Sequence, residues 1–406
     1  PNPALDRTLL VEKIEKNIPL RPTEVRDYPG GKSFNVAYAL RENGVTDYTI
    51  HTILGGQIGR YIQELNADGG NALRVVENSQ NTRTCNIYVE TSTGDVVLFY
   101  EKGFELTEDL LNQFTQQIEN SLQAGDILVF SGSLMKGMPD DYIQRFIEKY
   151  PEVLTIVDTS GPALRAAYQA RPALIKINNE ELKDIYPELD EESPEAILGI
   201  LKEVTPHENI IITMGDKGSL AKIGQRFFRI QSPKKETRNP IAAGDFYLGL
   251  LVKGISQGQA PEIFLKEAAA FATANCLNYF PEVEAEQFEE IFRETVKINT
   301  LDNQLYRRIQ QNIIDALDKG ETVQIKGKGQ NATDLTVKLH HLENPAKQTN
   351  FENCVADVNI PVGEVFTSPI LKGTSGILEA CTVYLEGLKY EKLHLEFEDG
   401  MVKAYT

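Results

Sequence analysis

The chain has 406 residues, with 41 Lys plus Arg against 59 Asp plus Glu and a formal net charge of −18. That deficit of cations argues against nucleic acid or an anionic membrane as the main partner, since both demand clustered positive potential. At about 100 to 200 residues per domain the length accommodates two or three domains, and 41% apolar with 25% charged residues excludes collagenous, low-complexity and disordered chains.

No run of about 18 apolar residues occurs, and the opening PNPALDRT lacks a basic-then-apolar leader. The chain reads as cytoplasmic, and its opening without Met, already inside a motif, reads as a natural start lying upstream. Cys85, Cys276, Cys354 and Cys381 lie far apart without a C-x-x-C pair, which suits reduced structural thiols better than a disulfide frame or zinc knuckle.

Residues 7 to 28 and 83 to 103 read as antiparallel ribbons, the second with Thr-Gly-Asp at its turn. Ribbons flanking an α/β sheet suit a lid or a dimer surface. From Thr49 to about Leu277, β-branched runs such as YTIHTIL, DILVFSG, LTIVDTSG, ALIKIN and NIIITMG alternate with segments of helical period such as DDYIQRFIEKY. That rhythm predicts a parallel sheet covered on both faces, with ligands at the carboxyl ends of its strands. The acidic stretch EELKDIYPELDEESPEA follows no ligand spacing and reads as a solvated helical face. A boundary is placed near Ile298 to Asp302. Beyond it QLYRRIQQNIIDALDKG reads as an amphipathic helix closed by Gly320, and ETVQIKGKG, TDLTVKLHH, GILEACTVYLEG and KLHLEFEDGMVKAYT read as strands.

Four segments carry chemistry. DYPGGKSFNVAYAL sets Gly30, Gly31, Lys32 and Asn35 before a helix, a mixture that suits a polyol, though a plain glycine turn reads equally well. LIKINNEEL carries Asn178 and Glu181 just past a strand end, where a carboxylate can hold magnesium through water. IIITMGDKGSLA runs a strand into Thr213, Gly215 and Gly218, glycines that admit a nucleotide phosphate or simply make a tight turn. NPIAAGDFYLGLLVKGI places Gly244 and Asp245 at a helix start, where unpaired amides attract phosphate and an Asp can take a proton from an attacking hydroxyl; the bland reading is an N-cap.

In this order the segments, together with NPALD, the pair Thr82–Arg83, SGSL and VDTSG, resemble the PfkB (ribokinase-like) sugar kinase family over residues 1–298, and particularly the branch containing 1-phosphofructokinase and tagatose-6-phosphate kinase. The resemblance implies a three-layer α/β fold with a β lid and transfer of the ATP γ-phosphate to a primary hydroxyl of a ketohexose phosphate; the lid is also a candidate homodimer surface. By resemblance Asp245 is the base, and the backbone of Ala242, Ala243 and Gly244 is the anion hole. Asn178 and Glu181 match the N-x-x-E magnesium motif, and Thr213, Gly215 and Gly218 the nucleotide-phosphate turn. Asp6, Gly31, Lys32 and Asn35 match sugar-contacting positions, with Arg83 and Lys32 facing the phosphate already on the substrate. ATP and Mg2+ are the implied cofactors.

The chain departs from the pattern in places. G-A-G-D is here Ala242-Ala243-Gly244-Asp245, preceded by Pro240 and followed by Phe246 where a small hydroxyl residue is usual; an alanine keeps its N–H but loses freedom at positive φ. Ser33 replaces a glycine, and Cys85 looks inserted, which would flip the following strand unless a bulge absorbs it. The strand expected just before NPALD is absent.

In residues 303–406, NFENCVADVNIPVGEVFTSPILKGTSG and YLEGLKYEKLHLEFEDGMVKAY resemble the thermophilic-type metallo-aminopeptidases, and the segment reads as a truncated α+β domain. By resemblance Glu364 matches one ligand of a two-metal centre whose other ligands the chain does not supply, so Glu364 reads as a vestigial, structural or solvent-facing carboxylate. His340, His341 and His394 do not replace them, since neighbours on a strand point to opposite faces. Three functions remain in view: a hexose-phosphate kinase, a nucleotide or sugar-phosphate binding protein without catalysis, and a peptidase remnant.

Overall fold

The computed structural model describes residues 2–300, 303–344, 347–354, 364–385 and 388–406. Two compact units divide the chain, Pro1–Asn299 and Thr300–Thr406. No helix among the described residues is long and apolar enough to cross a membrane. No disulfide joins the four cysteines.

The first unit opens on β1 (Ala4–Val11) and β2 (Glu24–Gly30), paired antiparallel. Gly31 follows at φ +99°, and a Cβ there would stand 3.2 Å from the Asn2 carbonyl oxygen, so the turn into α1 (Lys32–Glu42) requires glycine. Next come β3 (Ile50–Gly55), α2 (Gly56–Gly69) and β4 (Leu73–Asn78), the two strands parallel. The second ribbon is β5 (Thr84–Glu90) and β6 (Val96–Tyr100). The two ribbons are in fact one sheet, because β1 and β5 pair in parallel and give the order β2-β1-β5-β6. No bulge interrupts β5, and Cys85, Ile87 and Val89 are all buried; the residue that looked inserted simply belongs to the inward set.

The alternating stretch supplies α3 (Glu108–Glu119), β7 (Ile127–Ser131), α4 (Tyr142–Lys149), β8 (Leu154–Asp158), α5 (Gly161–Ala170) and β9 (Leu174–Asn178). It continues through α6 (Asn179–Leu182), α7 (Pro194–Gly199), β10 (Asn209–Thr213), β11 (Ser219–Ile223) and β12 (Arg226–Ile230). These strands form one sheet in the order β12-β11-β10-β9-β8-β7, parallel from β7 to β10 and antiparallel at the β11–β12 edge. Three helices close the unit: α8 (Ala243–Ser256), α9 (Pro261–Cys276) and α10 (Ala285–Thr300).

Unbroken apolar runs bury both faces of this sheet. Ile156 and Ile211 pack with α1, α8 and α9, whereas Val157 faces Phe114, Ile143 and Phe146, and Ile210 and Ile212 face Leu164 and Ile197. Helix α8 is buried nearly all round. A Cβ on Gly249 would fall 2.6 Å from Ala39 Cβ, so α1 and α8 meet at their backbones. Phe246 stacks on Tyr38 with centroids 5.1 Å apart, which explains an aromatic where a small hydroxyl residue was expected. Strands β3 and β4 form a sheet of their own; among the described residues no strand links β3 to β7, and α1 packs against both. The acidic stretch is not one helical face but α6, a run of turns and α7, with Lys183 paired to Glu191 at 2.9 Å.

The second unit is α+β: α11 (Asn303–Leu317), β13 (Thr322–Lys326), β14 (Asp334–Lys338), β15 (Glu352–Cys354), β16 (Glu364–Phe366), β17 (Ile370–Leu385), β18 (Leu388–Glu398) and β19 (Met401–Tyr405). An antiparallel sheet runs β13-β14-β17-β18-β19, and β15 pairs with β16. Its core is small, built on Ile314, Leu339 and Phe351. Strand β14 stops at Lys338, so His340 and His341 do not alternate on a strand; both line a cavity of about 600 Å³ with Glu352 and Phe366. Of the peptidase-like motif, residues 355–363 lie outside the described residues.

Candidate active site

The carboxyl ends of the parallel strands bring Ser131 beside Asp158 and Asn178 beside Thr213. There they meet the start of α1, the start of α8 and the lid sheet around a cleft of about 560 Å³. Of the residues singled out in the sequence, Asp6, Gly31, Lys32, Asn35, Arg83, Asn178, Glu181, Thr213, Gly215, Ala242, Gly244 and Asp245 line it. Ala243, Gly218 and Glu364 do not.

Asp245 stands in the first turn of α8, where amides lack partners one turn back and the dipole favours negative charge. Burial pushes its carboxyl up to about 6, helped by Asp158 and opposed by Lys32, and Asn35 Nδ2 donates to its Oδ2 at 2.8 Å. The helix begins from Ala242 at φ +69°, a left-handed conformation that costs a non-glycine residue about 1 kcal/mol or more. The preceding loop holds it there. Ile241 N donates to Asn239 Oδ1 at 3.0 Å, Asn275 Nδ2 donates to the Ile241 carbonyl at 2.8 Å, and Asn239 Nδ2 donates to the Tyr279 carbonyl at 2.8 Å. The alanine therefore reaches the backbone geometry that the usual glycine would adopt freely.

On the lid side, a Cβ on Gly30 would fall 2.2 Å from the Asp6 carboxyl carbon, so that glycine makes room for the acid. Burial pushes Asp6 up to about 6, against the pull of the Gly31 amide and the Arg83 guanidinium. Arg83 donates to the carbonyls of Pro3 at 3.3 Å and Asn2 at 3.4 Å, which leaves donors of its five-pronged fork for an anion. Tyr100 of β6 also lines the cleft, a residue the sequence did not mark.

Asn178 and Glu181 cap each other. Glu181 N donates to Asn178 Oδ1 at 2.7 Å, and Asn178 N donates to Glu181 Oε2 at 2.9 Å, a capping box at the start of α6. The other oxygen, Oε1, lies 3.9 Å from Lys32 Nζ. Burial raises the Glu181 carboxyl, with Lys32 opposing. Lys32 in turn is held protonated well above its usual range despite burial, because Asp158, Asp245 and Glu181 surround it. Asp158 and Lys176, named only within longer motifs, form the most buried ion pair here, at 2.8 Å and 0% and 3% exposure. The available signal was a lysine inside the otherwise apolar strand LIKIN, since a buried lysine needs a counter-charge.

The third segment splits in two. Thr213 and Gly215 face the cleft, and a side chain at Gly215 would meet nothing. Gly218 sits outside it at φ +85°, and a Cβ there would collide with the Ile230 carbonyl at 2.0 Å, so this glycine shapes the turn into β11. Ala243 N donates to the Pro240 carbonyl at 3.3 Å, a contact within the turn. Glu364 is exposed on the β15–β16 ribbon, paired across to Cys354, and its carbonyl accepts from Gln310 Nε2 at 2.6 Å. Among the described residues no group of three or more His, Cys, Asp or Glu could hold a metal ion.

The residues present fit phosphate. A Cβ on Gly244 would lie 3.1 Å from Lys176 Nζ, so the glycine keeps open the space between a buried ammonium and the first-turn amides. They also fit a hard cation held through water, since the cleft-facing oxygen of Glu181 is a carboxylate.

Comparison with known proteins agrees with this fold. The family profile described as "pfkB family carbohydrate kinase" matches residues 4–280, and one described as "Thermophilic metalloprotease (M29)" matches residues 266–406. A tagatose-6-phosphate kinase of Staphylococcus epidermidis is 28% identical over 305 residues, spanning 72% of this chain and 96% of that protein. Phosphofructokinase-2 of Escherichia coli, solved with substrates and products, superposes with a TM-score of 0.68 at 25% identity over 73% of this chain and 97% of its own; it is also known in a tetrameric inhibited form. Ribokinase of Thermotoga maritima, at 21% identity and a TM-score of 0.56, covers 72% of this chain and 97% of its own and shares the fold. With more than half of its length matched by the first of these profiles, the chain belongs to the pfkB family of carbohydrate kinases.

Proposed function

We propose that the first unit transfers the γ-phosphate of ATP to a primary hydroxyl of a ketohexose phosphate, either fructose 1-phosphate or tagatose or fructose 6-phosphate, giving the bisphosphate and ADP. The observation that carries this reading is the Asp245 carboxyl on the first turn of α8, raised to about 6 and sharing its cleft with Lys32 and Arg83. At neutral pH such a group is ionised yet basic enough to take a proton. Asn35 occupies Oδ2, so Oδ1 is left for the sugar hydroxyl, whose proton passes to it as the hydroxyl oxygen attacks phosphorus and the bond to ADP breaks.

The amides of Ala242 to Gly244 and the dipole of α8 receive the charge that develops on the transferred group. Asp6, Gly31 and Asn35 hold the sugar, and Lys32 with the planar fork of Arg83 takes its phosphate. Thr213, Gly215 and Asn178 face the nucleotide phosphates, with Gly218 shaping their turn. Glu181 holds Mg2+ through water, and the ion when bound neutralises phosphate charge. The lid reads as a homodimer surface: Leu98, Phe99 and Tyr100 of the edge strand β6 are 42%, 60% and 54% exposed, an apolar run that a second copy would cover. Sedimentation of Phe99→Glu against the unaltered chain tests that surface.

The central test is ADP release measured with each of the three sugar phosphates. Turnover that disappears in Asp245→Asn supports the kinase reading. Ligand-induced stabilisation without turnover by the unaltered chain selects a binding protein instead.

A further inference from the structure

Two lysines share one carboxylate beneath the cleft. Asp158, at the end of β8, is 0% exposed; its Oδ1 accepts from Lys32 Nζ at 2.5 Å and its Oδ2 from Lys176 Nζ at 2.8 Å. The lysines come from different elements, one from the start of α1 and one from within β9. Lys176 points its ammonium at Gly244, in the first turn of α8, while Lys32 faces Asp245 and Glu181. With no exposed surface, Asp158 does not itself touch a ligand.

We infer that Asp158 is the positioning residue for phosphate transfer: one carboxylate fixes both ammonium groups beside the first turn of α8, where the transferred phosphoryl group is received. This rests on the kinase reading above. A buried ammonium without a counter-charge is expensive, and a single carboxylate would neutralise one lysine outright. Sharing it between two leaves the trio with one positive charge and both donors locked in place, which is what a site receiving an anion requires. A triad of this kind contributes little to stability in comparison with apolar residues of similar volume, so stability alone does not account for it.

The test uses the full chain with Asp158→Asn and with Asp158→Asn/Lys176→Met, measuring kcat and the KM for sugar phosphate together with the melting temperature. The single variant should lose about 100-fold in kcat or more, and the KM for sugar phosphate should rise with it, because Lys32 also takes the phosphate on the sugar. It also leaves Lys176 buried and unpaired. The double variant removes that charge and should recover thermal stability but not kcat, and it carries the test if the single variant fails to fold. Activity that returns together with stability in the double variant, or a single variant within threefold of the unaltered kcat, would overturn the inference and leave the kinase reading intact. An unaltered chain that turns over none of the three sugar phosphates overturns that reading and this one with it.

Discussion

The two units show what a buried core does for a functional site. In the first, Phe246, Leu164, Ile175 and Ile177 are 0% exposed, and the strand ends that carry the cleft rise from packed layers on both faces of the sheet. In the second, Ile314, Leu339 and Phe351 anchor the core among the described residues, while Leu305, Ile309 and Ile313 form an exposed stripe along α11, and Met401 and Tyr405 are 66% and 76% exposed. Burial, which excludes water, is what raises the Asp245 carboxyl. Glu364 is exposed on a two-stranded ribbon. The difference teaches that a motif residue becomes a site through its surroundings.

The strongest way to break that contrast is to remove one carboxylate from each unit. Asp245→Asn should lower kcat about a thousandfold, and Glu364→Gln should leave turnover unchanged in the same ADP-release assay. Equal effects would place the chemistry elsewhere. Packing can be contrasted next: Phe246→Ala opens a cavity between Tyr38 and Phe271 and should cost about 3 to 5 kcal/mol by denaturant unfolding, against under about 0.5 kcal/mol for Leu305→Ala on the exposed stripe.

The units should also answer pH in different windows. Asp6 and Asp245 are raised from 3.8 to about 6, so between those values the native first unit binds more protons than the unfolded chain, and its stability falls as pH rises through that window. Catalysis goes the other way, with kcat/KM falling about tenfold per unit below pH 6 as the base is protonated. In the second unit the Ala332 amide and His394 hold Glu379 below its ordinary range, and Glu379 holds His394 above its own. That pair stabilises between the two ordinary ranges, losing its effect as pH falls through the lowered carboxylate value or rises through the raised imidazole value. Melting curves from pH 4 to 8 that moved in parallel for both units would contradict this. The smallest expected effect sharpens the site itself: Ala242→Gly should stabilise the first unit by about 1 kcal/mol, since glycine adopts the left-handed start of α8 without strain. A loss of stability would mean that the loop does not impose that backbone.

Much of the site was legible because its parts are local. A glycine that must adopt positive φ, an acid in the first turn of a helix and a capping pair three residues apart each lie within a few consecutive residues, where sequence and geometry are tightly coupled. Gly218 shows the limit: its turn was legible, but only the position of β12 reveals that it faces the Ile230 carbonyl and not the cleft. Asp158 and Lys176 show it again, since nothing in VDTSG or LIKIN says that two lysines from distant elements meet on one carboxylate.

By itself the sequence determined the alternation of strand and helix, the parallel sheet with a cleft at its carboxyl ends, and the order of the glycine-bearing segments that line that cleft, because apolar period and turn chemistry are properties of neighbouring residues. Only the tertiary structure decided that the two ribbons join through β1 and β5 into one lid, that Ala242 is held in a left-handed turn by Asn239 and Asn275, and that one buried carboxylate serves two lysines. Each of these depends on contacts between residues far apart in the chain. Burial, which sets the energy of such contacts, exists only once the layers have closed.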